Sequence, residues 1–184
     1  MRDEPLLFII TGGRGAGKTT FCRRLVEAAR RAGWEVSGVL SPAVFDGPRR
    51  VAIEAEDLRS GETRRLAARR AEDAPPGAAP HTRNWDFDAA ALAWGNRVLQ
   101  ASTPAQLLVV DELGTLEFER EQGWLAGLEA VDSGRYRAAL VVIRAELLGE
   151  ALTRWPDAYI VEIDTPADSR AKAEALARQL FGSI

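Results

Sequence analysis

The chain has only one cysteine and no long hydrophobic run. Cys22 alone cannot form an internal disulfide, which excludes a disulfide-stabilised scaffold and favours a reducing compartment, so we expect a cytoplasmic protein. The longest apolar run, residues 138–143, is far shorter than the roughly 20 residues of a membrane helix. The apolar run at residues 6–10 is also too short for a signal-peptide core. We therefore expect no membrane contact.

Lysine is nearly absent as well. Of 24 basic residues, 22 are arginine, and only Lys18 and Lys172 are lysine. Together with 31 alanines, this is typical of a coding bias and says little about function by itself. The net charge of −3 provides no overall attraction to nucleic acid, so nucleic-acid binding is not expected.

The 184 residues fit a single domain, in which short apolar runs alternate with helical patterns. This alternation predicts an α/β sandwich of three layers with a mostly parallel central sheet. Buried strands are expected at residues 6–10, 36–40, 107–110, 139–143 and 159–163. Helices are expected at residues 19–31, 88–100, 121–131, 145–153 and 168–181.

Two segments depart from this alternation. Residues 43–66 alternate apolar and polar side chains around a Ser-Gly-Glu turn, which predicts an inserted antiparallel hairpin or small meander. Residues 72–84 contain three prolines and no periodicity. They are predicted to form a loop that is long enough to be functional or mobile.

A phosphate-binding loop is predicted between the first strand and the first helix, where the chain matches G-x-x-x-x-G-K-[ST]. Glycines allow successive backbone N–H groups to face phosphate oxygens, and the helix N-terminus adds its dipole. The lysine supplies a compact charge for the β- and γ-phosphates, and the first threonine supplies a hydroxyl ligand for Mg²⁺. The expected nucleotide-binding residues are Gly12, Gly13, Arg14, Gly15, Ala16, Gly17, Lys18, Thr19 and Thr20.

Two carboxylates follow the strand predicted at residues 107–110. Asp111 has the position of a Walker B aspartate that binds Mg²⁺, and Glu112 is placed to orient or deprotonate a water molecule. The alternative is that both residues cap the next helix. Glu117 is a weaker candidate for the same site, with a solvated surface position as its alternative.

Three arginines are further candidates. Arg144 follows the fourth predicted strand, so it is expected at the nucleotide edge of the sheet either as a catalytic residue or in a surface ion pair. Arg14 lies within the loop, and Arg170 opens the last helix, where it would approach the base or the γ-phosphate.

Two further groups of residues have open interpretations. A basic cluster is either a solvated face or a phosphate lid; it contains Arg64, Arg65, Arg69 and Arg70. Trp85 and Phe87 are the best aromatic candidates to stack on a base.

Four segments together resemble a known family: residues 11–20 (TGGRGAGKTT), 38–42 (GVLSP), 56–62 (EDLRSGE) and 109–117 (VVDELGTLE). The chain resembles the small P-loop nucleoside-triphosphatases of bacteria and archaea that are related to the cancer-related nucleoside-triphosphatase. The resemblance implies a P-loop fold that hydrolyses ATP or other nucleoside triphosphates with Mg²⁺ and with loose base preference. It implies phosphate and metal binding for Lys18 and Thr19, metal binding for Asp111 and water activation for Glu112.

The chain departs from the family pattern at three places. Members usually have a lysine at the position of Thr115 and often a His-Arg pair where this chain has Arg144 and Ala145. The Asn-Arg pair that often precedes the last helix is replaced by Ser169 and Arg170.

Three functions remain open at this stage. The first is hydrolysis of a nucleoside triphosphate to the diphosphate and phosphate, with Lys18, Glu112 and Arg144 as candidate catalytic residues. The second is a small-molecule kinase in which the inserted hairpin and the proline-rich loop form an acceptor pocket and lid, and the third is a nucleotide-gated assembly or accessory protein. The Asn-Lys-x-Asp motif of Ras-type GTPases is absent because Lys172 follows Ala171. The sequence identifies no protein partner.

Overall fold

The computed structural model describes residues 4–71 and 80–182, and within these ranges nine strands form one sheet. The strands are β1 (Leu6–Thr11), β2 (Val36–Leu40), β3 (Ala43–Asp46), β4 (Arg49–Asp57), β5 (Thr63–Arg69), β6 (Trp85–Phe87), β7 (Ala105–Leu113), β8 (Tyr136–Ile143) and β9 (Tyr159–Glu162).

The helices in these ranges mostly connect parallel strands. They are α1 (Lys18–Arg31), α2 (Ala89–Gln100), α3 (Thr115–Glu119), α4 (Leu125–Asp132), α5 (Leu148–Arg154) and α6 (Pro166–Phe181), with one 3₁₀ turn at Ala145–Leu147 before α5. In the part of the chain that the structure describes, no helix combines the length and apolar character needed to cross a membrane.

The order of strands along the sheet is β6-β5-β4-β2-β7-β8-β1-β9, and β3 pairs with β4 beside this path. The five strands from β2 to β9 in this order are parallel, as predicted from the alternation of strands and helices. Because the register pairs Val109 with Gly38 and Leu140, the central strands end at the same edge of the sheet.

Helices cover both faces of the sheet and make three layers. On one face, α1 and α6 pack through residues such as Phe21, Leu25 and Leu176. On the other face, α2, α4 and α5 pack through residues such as Leu99, Leu128 and Ala151. The predicted α/β sandwich is therefore confirmed.

The insertion is a meander rather than a single hairpin. β3, β4, β5 and β6 pair antiparallel, and β4 joins this meander to the parallel strands through β2. β6 was not predicted as a strand, and β5 runs three residues beyond the predicted boundary at Leu66. Of the predicted loop at 72–84, residues 72–79 lie outside the described residues.

The helix predicted at residues 121–131 is wrong in its first third. The chain forms α3, leaves helical geometry, and begins α4 only at Leu125. Glu121 and Gly123 both have positive φ, at 51° and 74°, which a right-handed helix does not allow. The side chain of Glu117 also accepts the N–H of Trp124, which stabilises this turn.

Candidate functional site

A cavity of about 630 Å³ opens at the carboxyl ends of the central parallel strands. This is the edge at which open α/β sheets bind ligands. Ala16 is buried and does not line the cavity. The lining brings together most of the predicted site residues, namely Gly12, Gly13, Arg14, Gly15, Gly17, Lys18, Thr19, Thr20, Asp111, Glu112 and Arg144.

The loop before α1 depends on glycine at its first position. Gly12 has a φ of +134°, and a Cβ there would overlap the carbonyl oxygen of Ile163. Ile163 follows β9 and donates its own N–H to the carbonyl of Thr11 at 2.8 Å, so the two segments lie in direct contact. Any side chain at Gly12 would force them apart.

Lys18 begins α1 and folds back over this loop. Its Nζ donates to the carbonyl oxygens of Gly12 at 2.8 Å and Gly13 at 2.9 Å. The ammonium therefore lies inside the cavity lining, beside the unpaired N–H groups that every helix has in its first turn. Both features attract phosphate.

Helix α6 supports the loop from behind. The Ser169 hydroxyl, which is buried, donates to the carbonyl of Gly17 at 2.9 Å. A Cβ at Gly17 would approach Ser169 to 3.1 Å, so a larger residue at either position would push the loop away from α6.

Asp111 is among the last residues of β7 and is 2% exposed. Its Oδ2 accepts the backbone N–H of Ser41 at 3.1 Å, and the Ser41 hydroxyl donates to the Asp111 carbonyl. Burial and the nearby charge of Glu112 raise the pKa of Asp111 to about 7, against the opposing effects of Ser41, the Thr19 hydroxyl and Lys18. The neighbouring donors and the Lys18 charge therefore only partly offset the cost of burying this carboxylate.

This donor set fits Mg²⁺. A carboxylate and a hydroxyl are the oxygen ligands that Mg²⁺ prefers, and Asp111 and Thr19 provide both in direct contact. Within residues 4–71 and 80–182, no group of three histidine, cysteine, aspartate or glutamate side chains is arranged to hold a metal alone. Mg²⁺ commonly takes its remaining ligands from phosphate and water.

Glu112 and Arg144 form an ion pair at the rim of the cavity. The Nε of Arg144 lies 2.5 Å from Oε1 of Glu112, and both side chains are about one-third exposed, at 33% and 31%. Burial lowers the pKa of Arg144, but the carboxylates of Glu112, Glu146 and Glu117 raise it, and the net shift is upward. The helix-capping alternative for Asp111 and Glu112 is wrong because Gly114 is the N-cap of α3.

Glu117 is buried, so the solvated surface alternative for this residue is wrong. Its two oxygens accept the N–H groups of Gly114 at 2.7 Å and Trp124 at 2.8 Å. Both oxygens therefore hold the backbone between β7 and α4, although the residue also lines the cavity.

The other predicted arginines lie in different environments. Arg14 is exposed and lines the cavity, whereas Arg170 pairs with Glu174 at 3.0 Å and does not belong to the lining. The basic cluster consists of arginines of β5 together with Arg70, and two of these arginines form ion pairs. Arg64 bonds to Glu62 and covers the ring of Trp94, and Arg70 bonds to Asp86.

Trp85 and Phe87, the two ends of strand β6 in the meander, do line the cavity. Trp85 is 4% exposed, and the guanidinium of Arg50 lies 5.0 Å from the centroid of its ring. Stacking of a base on either ring stays a prediction.

Three residues of the site were not predicted: Ser41, Arg50 and Ser169. Ser41 had a signal, because it follows β2, whose end meets the end of β7 at the same edge of the sheet. Ser169 was noted only as a departure from the family pattern. Arg50 had no signal, since alternation along β4 does not show which face turns toward the cavity.

Comparison with known proteins agrees with this geometry. The family model described as "NTPase" matches residues 7–166. The nucleoside-triphosphatase THEP1 of Thermococcus kodakarensis is 30% identical over 152 residues, which cover 80% of this chain and 84% of that protein. The THEP1 protein of Pyrococcus abyssi is 29% identical over 116 residues, and the match spans 62% of either chain.

A solved structure has the same fold. The solution structure of a human cancer-related nucleoside triphosphatase superimposes with a TM-score of 0.73 at 21% identity, covering 97% of this chain and 99% of the human one. The family model, the sequence relatives and the solved structure all agree. This chain therefore belongs to the nucleoside-triphosphatase family.

Proposed function

We propose that this chain is a Mg²⁺-dependent phosphohydrolase that converts a nucleoside triphosphate to the diphosphate and phosphate. The observation that carries this proposal is the shared cavity of Lys18, Asp111 and Glu112. Phosphoryl transfer needs a positive cradle for phosphate, a metal site and a group that positions the nucleophile. These three residues supply one part each.

The loop before α1 and the N-terminus of α1 would bind the phosphates. The Lys18 ammonium would exchange its contacts with the Gly12 and Gly13 carbonyls for phosphate oxygens, assisted by Arg14. Thr19 and Asp111 would hold Mg²⁺, which neutralises charge on the β- and γ-phosphates when bound.

Glu112 is the proposed general base. As the water oxygen bonds to the γ-phosphorus and the bond to the β–γ bridging oxygen breaks, a carboxylate oxygen of Glu112 takes the proton of the water. Arg144 holds Oε1 of Glu112 and so fixes the direction of this carboxylate. In this arrangement Arg144 is a positioning residue.

The proposed substrate is ATP or another nucleoside triphosphate, with loose base preference. The sequence lacks the guanine-reading Asn-Lys-x-Asp motif, which supports a loose base preference. The single buried cysteine suits a reducing compartment, so we place the activity in the cytoplasm.

The test is phosphate release from a panel of nucleoside triphosphates with Mg²⁺ and without any acceptor, together with calorimetric binding. We expect Lys18→Ala to lose nucleotide binding. Glu112→Gln should bind normally but lose turnover by about 10²-fold or more, because general-base catalysis contributes that much. Glu119→Gln is the matched control for Glu112→Gln, since it changes the same residue type at an exposed position outside the cavity lining. Arg97→Ala, which removes an exposed basic side chain outside the lining, is the control for Lys18→Ala.

Two results would contradict these assignments. Normal turnover by Glu112→Gln would show that Glu112 is not the general base. Normal nucleotide binding by Lys18→Ala would show that Lys18 does not bind phosphate. A wild-type protein that binds the nucleotide but releases phosphate only after a metabolite is added would be a phosphotransferase.

One observation favours that second candidate function. Where it borders the meander, α2, α3 and the start of α4, the cavity has seven apolar side chains in its lining: Ile53, Leu66, Trp85, Phe87, Leu92, Leu116 and Trp124. A hydrolase needs space only for water on this side, whereas a kinase needs space for an organic acceptor.

A further inference from the structure

Arg50 reaches the cavity from the inserted meander rather than from the parallel strands. It lies at the start of β4, is half-buried, and lines the cavity together with the loop before α1. Its guanidinium lies over the ring of Trp85, 5.0 Å from the ring centroid. This stacking limits the directions in which the side chain can extend.

The polar atoms of Arg50 are poorly satisfied. Its Nε is buried and has no hydrogen-bond partner. Two other arginines of the lining are paired, Arg23 with Glu56 and Arg144 with Glu112. A buried guanidinium donor without an acceptor costs free energy, which an anionic ligand would recover.

Arg50 is also close to the proposed reaction centre. Burial lowers the pKa of Arg50, and four charged groups of the site act on it as well: Glu112 and Asp111 raise it, while Arg14 and Arg144 lower it. The guanidinium thus lies within electrostatic reach of both carboxylates of the site and of both arginines that flank it.

We propose that Arg50 is a further catalytic residue, which the meander supplies to contact the γ-phosphate oxygens of the bound nucleoside triphosphate. This inference rests on the proposed function. As the bond from the γ-phosphorus to the bridging oxygen breaks, negative charge spreads over the oxygens of the transferred group and of the diphosphate. The planar guanidinium donates two parallel N–H groups to such oxygens, and it is always charged.

The meander acquires a catalytic role through this contact. Phosphate binding at the loop before α1 needs only residues of the parallel half of the sheet. Completion of the site by Arg50 requires β4, so the antiparallel half acts directly on the reacting group.

The experiment compares wild type, Arg50→Ala, Arg50→Lys and the control Arg49→Ala. Arg49 is the preceding residue of β4, is exposed, and does not line the cavity. For each protein we would measure kcat and KM for ATP, the Kd for ADP with Mg²⁺, and the Kd for ADP with aluminium fluoride, which mimics the transferred phosphoryl group. Thermal denaturation checks folding.

We expect Arg50→Ala to lower kcat by about a hundredfold or more, because loss of one donor to developing charge costs about 10²–10³-fold and loss of an arginine on a transferred phosphoryl group about 10³–10⁵-fold. The Kd for ADP should stay within about twofold, whereas tightening by aluminium fluoride should be lost. Arg50→Lys keeps the charge without the planar fork, and we expect it to restore part of kcat. Arg49→Ala should behave as wild type.

Two outcomes overturn the inference: unchanged kcat in Arg50→Ala, or an equal loss of affinity for ADP and for ADP with aluminium fluoride. If Arg50→Ala does not fold, Arg50→Lys decides by the same three measurements. Absence of phosphate release by wild type would refute the proposed hydrolysis instead. Binding of ADP with aluminium fluoride would still test the contact of Arg50.

Discussion

Glu117 is a buried carboxylate that organises the backbone between β7 and α4. One oxygen accepts the N–H of Gly114 and the other accepts the N–H of Trp124. The first contact caps α3 and the second closes the turn before α4, so a single side chain fixes the path of the chain beside Glu112. We therefore expect the effect of Glu117 on activity to be indirect.

Glu117→Gln keeps the size of the side chain but places an NH₂ group against one of the two backbone N–H donors. We expect a loss of about 1–3 kcal/mol in the free energy of unfolding, the usual cost of an unsatisfied buried polar group. Denaturant unfolding measures this loss. Glu119→Gln changes an exposed glutamate of the same helix and should cost nothing measurable; equal stability of the two variants would contradict the role of Glu117.

The pH dependence of stability provides a second check on Glu117. Burial raises the pKa of this carboxyl, although the N–H groups of Trp124 and Gly114 lower it. Above the usual glutamate pKa of 4.5 and up to the raised value, the folded chain binds more protons than the unfolded chain. The contribution of Glu117 to stability therefore falls as pH rises through this interval. The stability difference between wild type and Glu117→Gln should shrink over that interval, and a constant difference would contradict the raised pKa.

Individual site residues were predictable where chain connectivity fixes them. Lys18 and Thr19 follow from a contiguous motif, and Asp111 follows from the end of a buried strand. Arg50 was not predictable, because its position depends on how β4 faces the cavity. Glu117 was a candidate from the sequence, but its burial was not predictable, because it depends on a turn with positive φ.

At the scale of elements, α6 is the support of the loop that precedes α1. Ser169 bonds to the Gly17 carbonyl, and Lys172 one turn later donates to the Glu162 carbonyl at 2.6 Å and to Asp168 at 2.8 Å. The helix is thereby tied both to the phosphate-binding loop and to β9.

Ser169→Ala should weaken nucleotide binding as well as stability. We expect a stability loss of about 1 kcal/mol for the lost hydrogen bond and a several-fold increase in the Kd for ADP with Mg²⁺, because the loop loses a fixed contact. Thermal denaturation and calorimetry measure the two effects. Ser133→Ala removes a bond from a serine to the Ala130 carbonyl outside the cavity lining, and it should leave the Kd unchanged. An unchanged Kd in Ser169→Ala would show that α6 does not support the loop.

The predicted elements were most accurate for the buried parallel strands, whose continuous apolar runs have few alternative interpretations. The prediction was weakest where local conformation ends an element. The helix expected from residue 121 begins at Leu125 because Glu121 and Gly123 have positive φ. β6 has three residues and is stabilised by pairing with β5, which no local pattern indicates.

At the scale of the whole molecule, the reactivity of Cys22 measures how often the folded chain unfolds. It is fully buried in α1, and burial raises the pKa of its thiol well above the usual value. Thiolate is the reactive form, so the native chain should react very slowly with a thiol-specific disulfide reagent. Denaturant should make the single thiol react at once.

Nucleotide binding should slow this reaction further. A ligand at one hundred times its Kd lowers the population of open states by about a hundredfold when it binds only the folded chain. We expect ATP with Mg²⁺ to slow labelling of wild type in this way and to have no effect on Lys18→Ala. Equal labelling rates of wild type with and without nucleotide would show that opening at Cys22 is independent of the site.

The architecture as a whole was accessible from sequence, since alternating strands and helices leave few arrangements of a parallel sheet. The position of the meander was not, because antiparallel β4 can add to either edge of such a sheet. Its pairing with β2 brings Arg50 and Trp85 to the cavity. Long-range strand pairing thus determines which residues of the meander reach the proposed site.

The scarcity of lysine has a practical consequence for handling the protein. Apart from the α-amino group, acylating dyes, biotin esters and reductive methylation find two ε-amines in the chain. One of them is the half-buried Lys18 within the phosphate-binding loop, and the other is bonded to Glu162 and Asp168. Amine-directed labelling or immobilisation would therefore compete with nucleotide at the proposed site, and attachment through an engineered thiol or a terminal tag is the chemistry that leaves this site intact.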